Sequence, residues 1–246
     1  MKTIISYLGI AVVVLLVYGC REIETENISR LTYFPDFTVS GEQTMFLETG
    51  ETYTEPGVSA EESGSEIEVS TAISGTYFVG SIASLNTDVA DKYTINYSAI
   101  NSDGFPGSVS RTVYVAGKGD LVNDISGLYT STVVRNGSSA PEYTDMGYVF
   151  ISKTGANTYK LSDGIGGYYD LGRAYGAGYA ASGVTITAND IPTNDFTLPS
   201  GFGVGAFGGS ADMSDMVVDA GSKTISFSTD WDAGYVFVVT LTQVDF

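Results

Sequence analysis

Tyr93-Thr94-Ile95-Asn96-Tyr97-Ser98-Ala99-Ile100-Asn101-Ser102-Asp103-Gly104 decides the fold class. In an extended chain Tyr93, Ile95, Tyr97 and Ala99 fall on one face and Thr94, Asn96 and Ser98 on the other. One packed face and one wet face is the pattern of an antiparallel sandwich strand. Asn101-Ser102-Asp103-Gly104 then supplies a turn, because Gly accepts positive φ and Asn and Asp side chains bond the nearby backbone. Working outward, branched and aromatic residues at strand spacing predict strands over 43–48, 66–71, 76–79, 92–100 and 108–115, with almost no helical periodicity.

Ala116-Gly117-Lys118-Gly119-Asp120 reads as a linker, with two glycines and no large apolar residue. Beyond it the chain is richer in glycine and tyrosine. Strands are expected over 126–135, 146–153, 158–162, 184–188, 216–219, 223–229 and 235–244, joined by short polar turns. The expected fold is therefore all-β: an N-terminal β-sandwich over 31–117, followed over 121–246 by a second antiparallel β-sandwich or small β-barrel. Phe246 ends the chain as an aromatic residue ends an outer-membrane barrel strand, but few long strands precede it, and 235–244 reads as the last strand of a soluble domain.

The first twenty residues fix location. Lys2 is followed by a mostly apolar run to Val17, shorter than the ~20 residues a spanning helix needs, so the segment reads as a secretory signal. It closes on Val17-Tyr18-Gly19-Cys20, which resembles the lipobox of bacterial lipoproteins. The resemblance implies that Cys20, the single cysteine, becomes a lipidated N-terminus that anchors the protein without spanning the membrane. Residues 21–30 read as a tether. Its Arg21-Glu22-Ile23-Glu24-Thr25-Glu26 resembles the acidic surface-export signal of Bacteroidetes-type lipoproteins, or serves as a solvated spacer. The expected location is the outer membrane, at the cell surface or on its periplasmic face.

Composition removes several function classes. The chain carries 29 acidic against 11 basic residues, a formal charge of −18, and such a surface repels nucleic acid. It has no histidine, so a Ser-His-Asp triad and an imidazole zinc site are excluded. With Cys20 lipidated there is no thiol nucleophile. A glycosidase would need two facing carboxylates in a deep cleft, which a small barrel filled by its own side chains does not offer. No enzyme activity, cofactor or metal is expected; Asp190, Asp195, Asp212, Asp215 and Asp219 lack the spacing of a calcium loop.

Two resemblances add to this reading. Residues 50–60, 93–104 and Arg111-Thr112-Val113-Tyr114-Val115 resemble the bacterial surface Ig-like domain over roughly 30–117, with Glu55 and Asn101 where that family typically has Asp. Asp124-Ile125-Ser126-Gly127-Leu128-Tyr129 and 161–170 resemble the C-terminal domain of two-domain lipoproteins from polysaccharide-utilisation loci. That resemblance implies a glycan-handling setting; the expected partners are a polysaccharide or, in a docking role, an outer-membrane transport protein.

The candidate ligand site is Gly166 to Tyr179 with its approaches. Tyr168, Tyr169, Tyr175 and Tyr179 offer flat faces for a pyranose ring, Asp163, Asp170 and Arg173 offer polar groups for its hydroxyls, and Trp231 is a second platform. Equally, tyrosines in small β domains pack across strands and glycines mark bulges. The expected function is non-catalytic glycan binding in polysaccharide capture. The alternatives are a structural, adhesive or docking surface protein with no glycan ligand, and a lipocalin-like binder with an internal cavity.

Overall fold

The strand expected over 92–100 is present one residue longer at its start, as Asp91–Ile100, with Tyr93, Ile95, Tyr97 and Ala99 all buried. It belongs to a computed structural model that describes residues 31–246. The signal segment 1–20, Cys20 and the tether 21–30 lie outside the described residues. The chain is all-β.

The N-terminal part comprises β1 (Asp36–Val39), β2 (Thr44–Glu48), β3 (Val58–Glu62), β4 (Ser65–Ile67), β5 (Ser70–Gly75), β6 (Ser81–Ile82), β7 (Asp91–Ile100) and β8 (Pro106–Ala116). One sheet has the order β1-β3-β4 and the other β2-β8-β7-β5-β6, with β2 parallel to β8 and the remaining pairs antiparallel. Both contribute to a core built on Leu47, Tyr93, Ile95, Tyr97, Val113 and Val115, with Phe37 and Val58 packed against it. The turn after β7 is held by the Asn101 side-chain oxygen, which accepts the N–H of Asp103 at 3.1 Å and of Phe105 at 2.7 Å.

Residues 76–79, expected as a strand, are instead a bend wrapped around one carboxylate. Asp91 is fully buried, and its Oδ1 accepts the N–H of Thr76 and Tyr77 while its Oδ2 accepts those of Phe78 and Val79, all at 2.9–3.2 Å. Its own neighbour Lys92 donates a further N–H to Oδ1 at 2.8 Å. Charge-assisted bonds of this kind outweigh the strand propensity of Tyr77, Phe78 and Val79. Gly75 is required beside it, since a Cβ there would stand 2.4 Å from Asp91 Oδ2.

The C-terminal part comprises β9 (Gly127–Arg135), β10 (Met146–Lys153), β11 (Thr158–Leu161), β12 (Val184–Asp190), β13 (Asp195–Thr197), β14 (Phe202–Val204), β15 (Gly208–Asp219), β16 (Thr224–Trp231) and β17 (Tyr235–Gln243). They form a single antiparallel sheet in the order β13-β12-β11-β10-β9-β17-β16-β15-β14, curled into a half-barrel around one core. Its two meanders, β9 to β13 and β14 to β17, meet at the β9–β17 pair, in register from Phe237 opposite Arg135 to Gln243 opposite Tyr129.

Residues 34–246 form one compact unit. The segment 116–120, expected as a linker, is bonded into the C-terminal sheet: Gly119 donates to the Ser126 carbonyl at 2.8 Å and accepts from Gln243 Nε2 at 2.7 Å. Between the two parts Ala116, Leu128 and Phe150 are buried beneath Phe46, Tyr77, Phe78, Tyr114, Tyr148 and Phe246. Tyr114 meets Tyr148 edge-on at 4.9 Å between ring centres, and Phe246 lies 5.8 Å from Phe46. The terminal aromatic therefore seals an internal junction.

Candidate functional site

The segment 161–170, the first half of the expected site, is buried at every residue. It plugs the half-barrel. Thr229 on β16 donates its hydroxyl to the Gly164 carbonyl at 2.6 Å, and Ser131 on β9 donates to the Gly166 carbonyl at 2.7 Å. Gly166 has φ +67°, and a Cβ there would stand 2.6 Å from Val239 Cγ1 and 2.9 Å from Val133 Cγ2. Only a glycine lets the backbone come this close to the wall at that angle. Tyr168–Gly172 then forms a single π-helical turn that carries the chain outward.

In this geometry several of the expected site residues are buried. Asp163 is 1% exposed: its Oδ1 accepts the N–H of Ile165 at 2.9 Å and of Ala181 at 3.2 Å, and its Oδ2 has no partner among the described residues. Burial pushes its pKa up to about 7, with the nearby Asp170 charge adding and the N–H donors opposing. Asp170 is buried and its Oδ2 accepts the Tyr77 hydroxyl at 2.7 Å from the N-terminal part. Burial raises its pKa as well, against the opposing effects of the Tyr77 hydroxyl and the Lys92 charge. Neither carboxylate faces solvent to meet a sugar hydroxyl. Tyr168, Tyr169 and Trp231 are also buried, as the interior face of the aromatic cluster.

The surface of that cluster is formed by other residues. Tyr175 is 49% and Phe207 46% exposed, Tyr179 and Tyr235 are half-buried, and Arg173 is exposed. The rings connect continuously: Tyr175 to Tyr179 at 5.3 Å, Tyr179 to Phe207 at 5.0 Å, Phe207 to Tyr169 at 4.8 Å and Trp231 to Tyr235 at 5.8 Å. Tyr143 stacks on Tyr168 at 4.2 Å with the planes 19° apart.

Beside these rings opens a cleft of about 350 Å³, at the small end of the ~300–1,000 Å³ typical of ligand pockets. Its walls include Arg135, Tyr143, Tyr168, Arg173 and Tyr235, with Glu142 as the one carboxylate on the lining. The Arg135 guanidinium lies 4.8 Å from the Tyr168 ring centre and 4.7 Å from that of Tyr235. Arg173 lies 5.8 Å from Tyr168 and 5.9 Å from Tyr143. Hydrogen bonding to the Tyr168 phenol and the negative potential of Tyr143 raise the pKa of Arg173, reinforcing a charge it keeps at any ordinary pH. Of the residues singled out in the sequence, Tyr168 and Arg173 line this cleft, while Tyr175 and Tyr179 lie in the ring network that joins it. Arg135 and Tyr143 were missed. They sit at the end of β9 and in the turn after it, far from the Gly-Tyr segment in sequence, and the one available signal was the rarity of arginine in this chain.

A second polar cluster lies in the N-terminal part. Arg111 is fully buried and donates to the carbonyls of Ser40 and Glu42 and pairs with Glu55 at 3.3 Å. Glu55 also accepts the hydroxyls of Tyr53 and Tyr97 and the N–H of Gly57. Burial would raise the Glu55 pKa, but these donors and the Arg111 charge hold it below the usual carboxylate range. Glu55 thus anchors the sandwich, and Asn101 caps a turn; among the described residues no group of three or more acids could hold a metal.

Comparison with known proteins follows the same division. Residues 37–115 match the bacterial surface protein Ig-like domain, and residues 118–243 match a family model described as a C-terminal domain. No curated protein matches the chain. Among solved structures, the crystal structure of the lipoprotein BT2262 from Bacteroides thetaiotaomicron is 27% identical, covers 85% of this chain and 100% of its own, and superposes with a TM-score of 0.60. Because the second model spans just over half of the sequence, the chain belongs to the family defined by that C-terminal half-barrel domain, carried here behind a bacterial surface Ig-like domain.

Proposed function

We propose that the protein is a lipid-anchored accessory of the outer membrane, displayed at the cell surface, that binds a glycan for polysaccharide capture and does not process it. The observation that carries this reading is the cleft of Arg135, Tyr143, Tyr168, Arg173 and Tyr235, linked through the buried ring of Tyr169 to the exposed rings of Tyr175 and Phe207. Aromatic faces beside fixed planar donors are what a pyranose ring with its hydroxyls requires. One carboxylate on the lining, Glu142, is fewer than the pair that glycoside hydrolysis uses. The lipoprotein neighbour and the surface Ig-like match support the anchor at Cys20 and the location. In this scheme the Ig-like part is the spacer and the half-barrel the binding end. Such a shallow site binds weakly on its own and gains by avidity where many copies face one polymer.

Affinity gel electrophoresis against a panel of neutral and charged polysaccharides tests the proposal. Retardation by at least one polymer, relieved in a folded Tyr175→Ala/Phe207→Ala variant, is the expected result. A panel that retards nothing would overturn it. A docking role has one observation in its favour: Val236 and Val238 lie exposed on the outer face of β17, with Val238 in register with Val134. Capture of a transport protein by the wild type and not by a Val236→Ser/Val238→Ser variant would establish that reading instead.

A further inference from the structure

Residues 31–246 contain three arginines, and they are used in two ways. Arg111 is buried against Glu55. Arg135 and Arg173 come from distant points in the chain to line one cleft and rest against one ring, Tyr168. Neither is in an ion pair among the described residues, whereas Lys118, Lys153 and Lys223 each pair with a carboxylate. Glu142 shares the lining, is exposed, and bridges neither arginine.

Two guanidiniums held near one ring repel each other, and in a chain of net charge −18 acids are plentiful to neutralise them. The fold leaves the pair unneutralised. The groups around the two guanidiniums are neutral phenols: Arg173 hydrogen-bonds Tyr168 and Tyr175, and Arg135 bonds Tyr169, fewer partners than the five N–H groups each guanidinium carries. Two guanidiniums on the lining of one cleft suit a group with two or three anionic oxygens, such as a carboxylate or a sulfate. Local positive potential in an acidic surface also selects where along a polymer such a group docks.

On the reading that this cleft binds glycan, we infer that its ligand is an acidic sugar residue, with the carboxylate or sulfate held by Arg135 and Arg173 and the sugar ring against the half-buried Tyr235. Neutral sugars lack the group this pair is built to meet.

Isothermal titration of the full chain with oligogalacturonate, its methyl ester and a sulfated galactan oligosaccharide of equal length tests the inference. One acidic probe is expected to bind at least about tenfold more tightly than the methyl ester, and to weaken as salt rises. Arg135→Gln and Arg173→Gln, each checked for an unchanged melting curve, are expected to lose about tenfold in affinity for that probe, with Lys at either position recovering part of it. Which acidic probe wins assigns carboxylate or sulfate. Equal binding of the ester and the acids, unaltered in both Gln variants, would overturn the acidic-sugar inference while leaving glycan binding intact. No binding of any probe, together with an unretarded chain in the polysaccharide panel, would overturn both.

Discussion

The Tyr77 hydroxyl donates to Asp170 Oδ2 at 2.7 Å, tying the bend around Asp91 in the Ig-like part to the π-helical turn of the half-barrel. Both groups are largely withdrawn from water, and burial, together with the Asp170 charge, pushes the Tyr77 pKa upward. Tyr77→Phe removes the donor and leaves a buried carboxylate oxygen unpaired. The expected loss is about 1–3 kcal/mol in chemical denaturation. A variant as stable as wild type would show that water replaces the hydroxyl.

Asp91 gathers four N–H groups of residues 76–79, and those residues deliver Tyr77 and Phe78 to the junction. Asp91→Ala leaves these donors without their acceptor and should cost on the order of 3 kcal/mol or more. Asp91→Asn, which keeps one carbonyl oxygen, should cost less. Urea midpoints of the two variants check the ranking, and the reverse order would sink the account.

Stability should fall as pH rises from about 5 to 8. The folded pKa of Asp163 is raised to about 7, above its unfolded value of about 4. Between these values the native state keeps a proton that the unfolded state has released, so raising pH favours unfolding, and the effect is complete once pH exceeds the folded value. Asp170 is shifted in the same direction. With no histidine in the chain, little else titrates in this window. Asp163→Asn should flatten the profile and exceed wild type at pH 8 by on the order of a few kcal/mol. A wild type equally stable at pH 5 and pH 8 would refute this.

Gly166→Ala should be among the most damaging small substitutions. It forces a Cβ to within 2.6 Å of Val239 and 2.9 Å of Ser131 Oγ at a left-handed backbone position. Overpacking and strained φ each cost about 1–3 kcal/mol. Gly176→Ala, at a similar φ of +89° but facing open space, should cost only the backbone share. Equal melting temperatures for the two variants would contradict the plug geometry.

Much of the β pattern was legible in the residues. The alternation from Tyr93 to Ala99 and the turn chemistry at Asn101 act locally, so β7 was placed to within one residue. The expected strand 216–219 is the end of a far longer one, Gly208–Asp219, because its first half opens on Gly208-Gly209-Ser210 and its register shifts between Ser214 and Val217 at the left-handed Asp215. Local composition does not show a bulge whose partner strand supplies the pairing. The aromatic site was half legible. The Gly-Tyr run announced a cluster, but which rings turn inward depends on contacts of Gly164 and Gly166 with strands distant in sequence. Arg135 could not be assigned to it at all, since its place beside Tyr168 and Tyr235 comes from pairing of β9 with β17.

That same pairing sets the order in which the molecule can be completed. The seam of the nine-stranded sheet joins its first strand to its last, so during synthesis the β9 edge has no partner until Tyr235–Gln243 has been made. Until then the plug has one wall, Ser131 on β9 and Thr229 on β16 stand on unconnected meanders, and the arginine cleft has no Tyr235. The cleft is therefore completed only with β17, and a chain lacking that strand would expose β9 and β16 as two further edges beside those of β13 and β14.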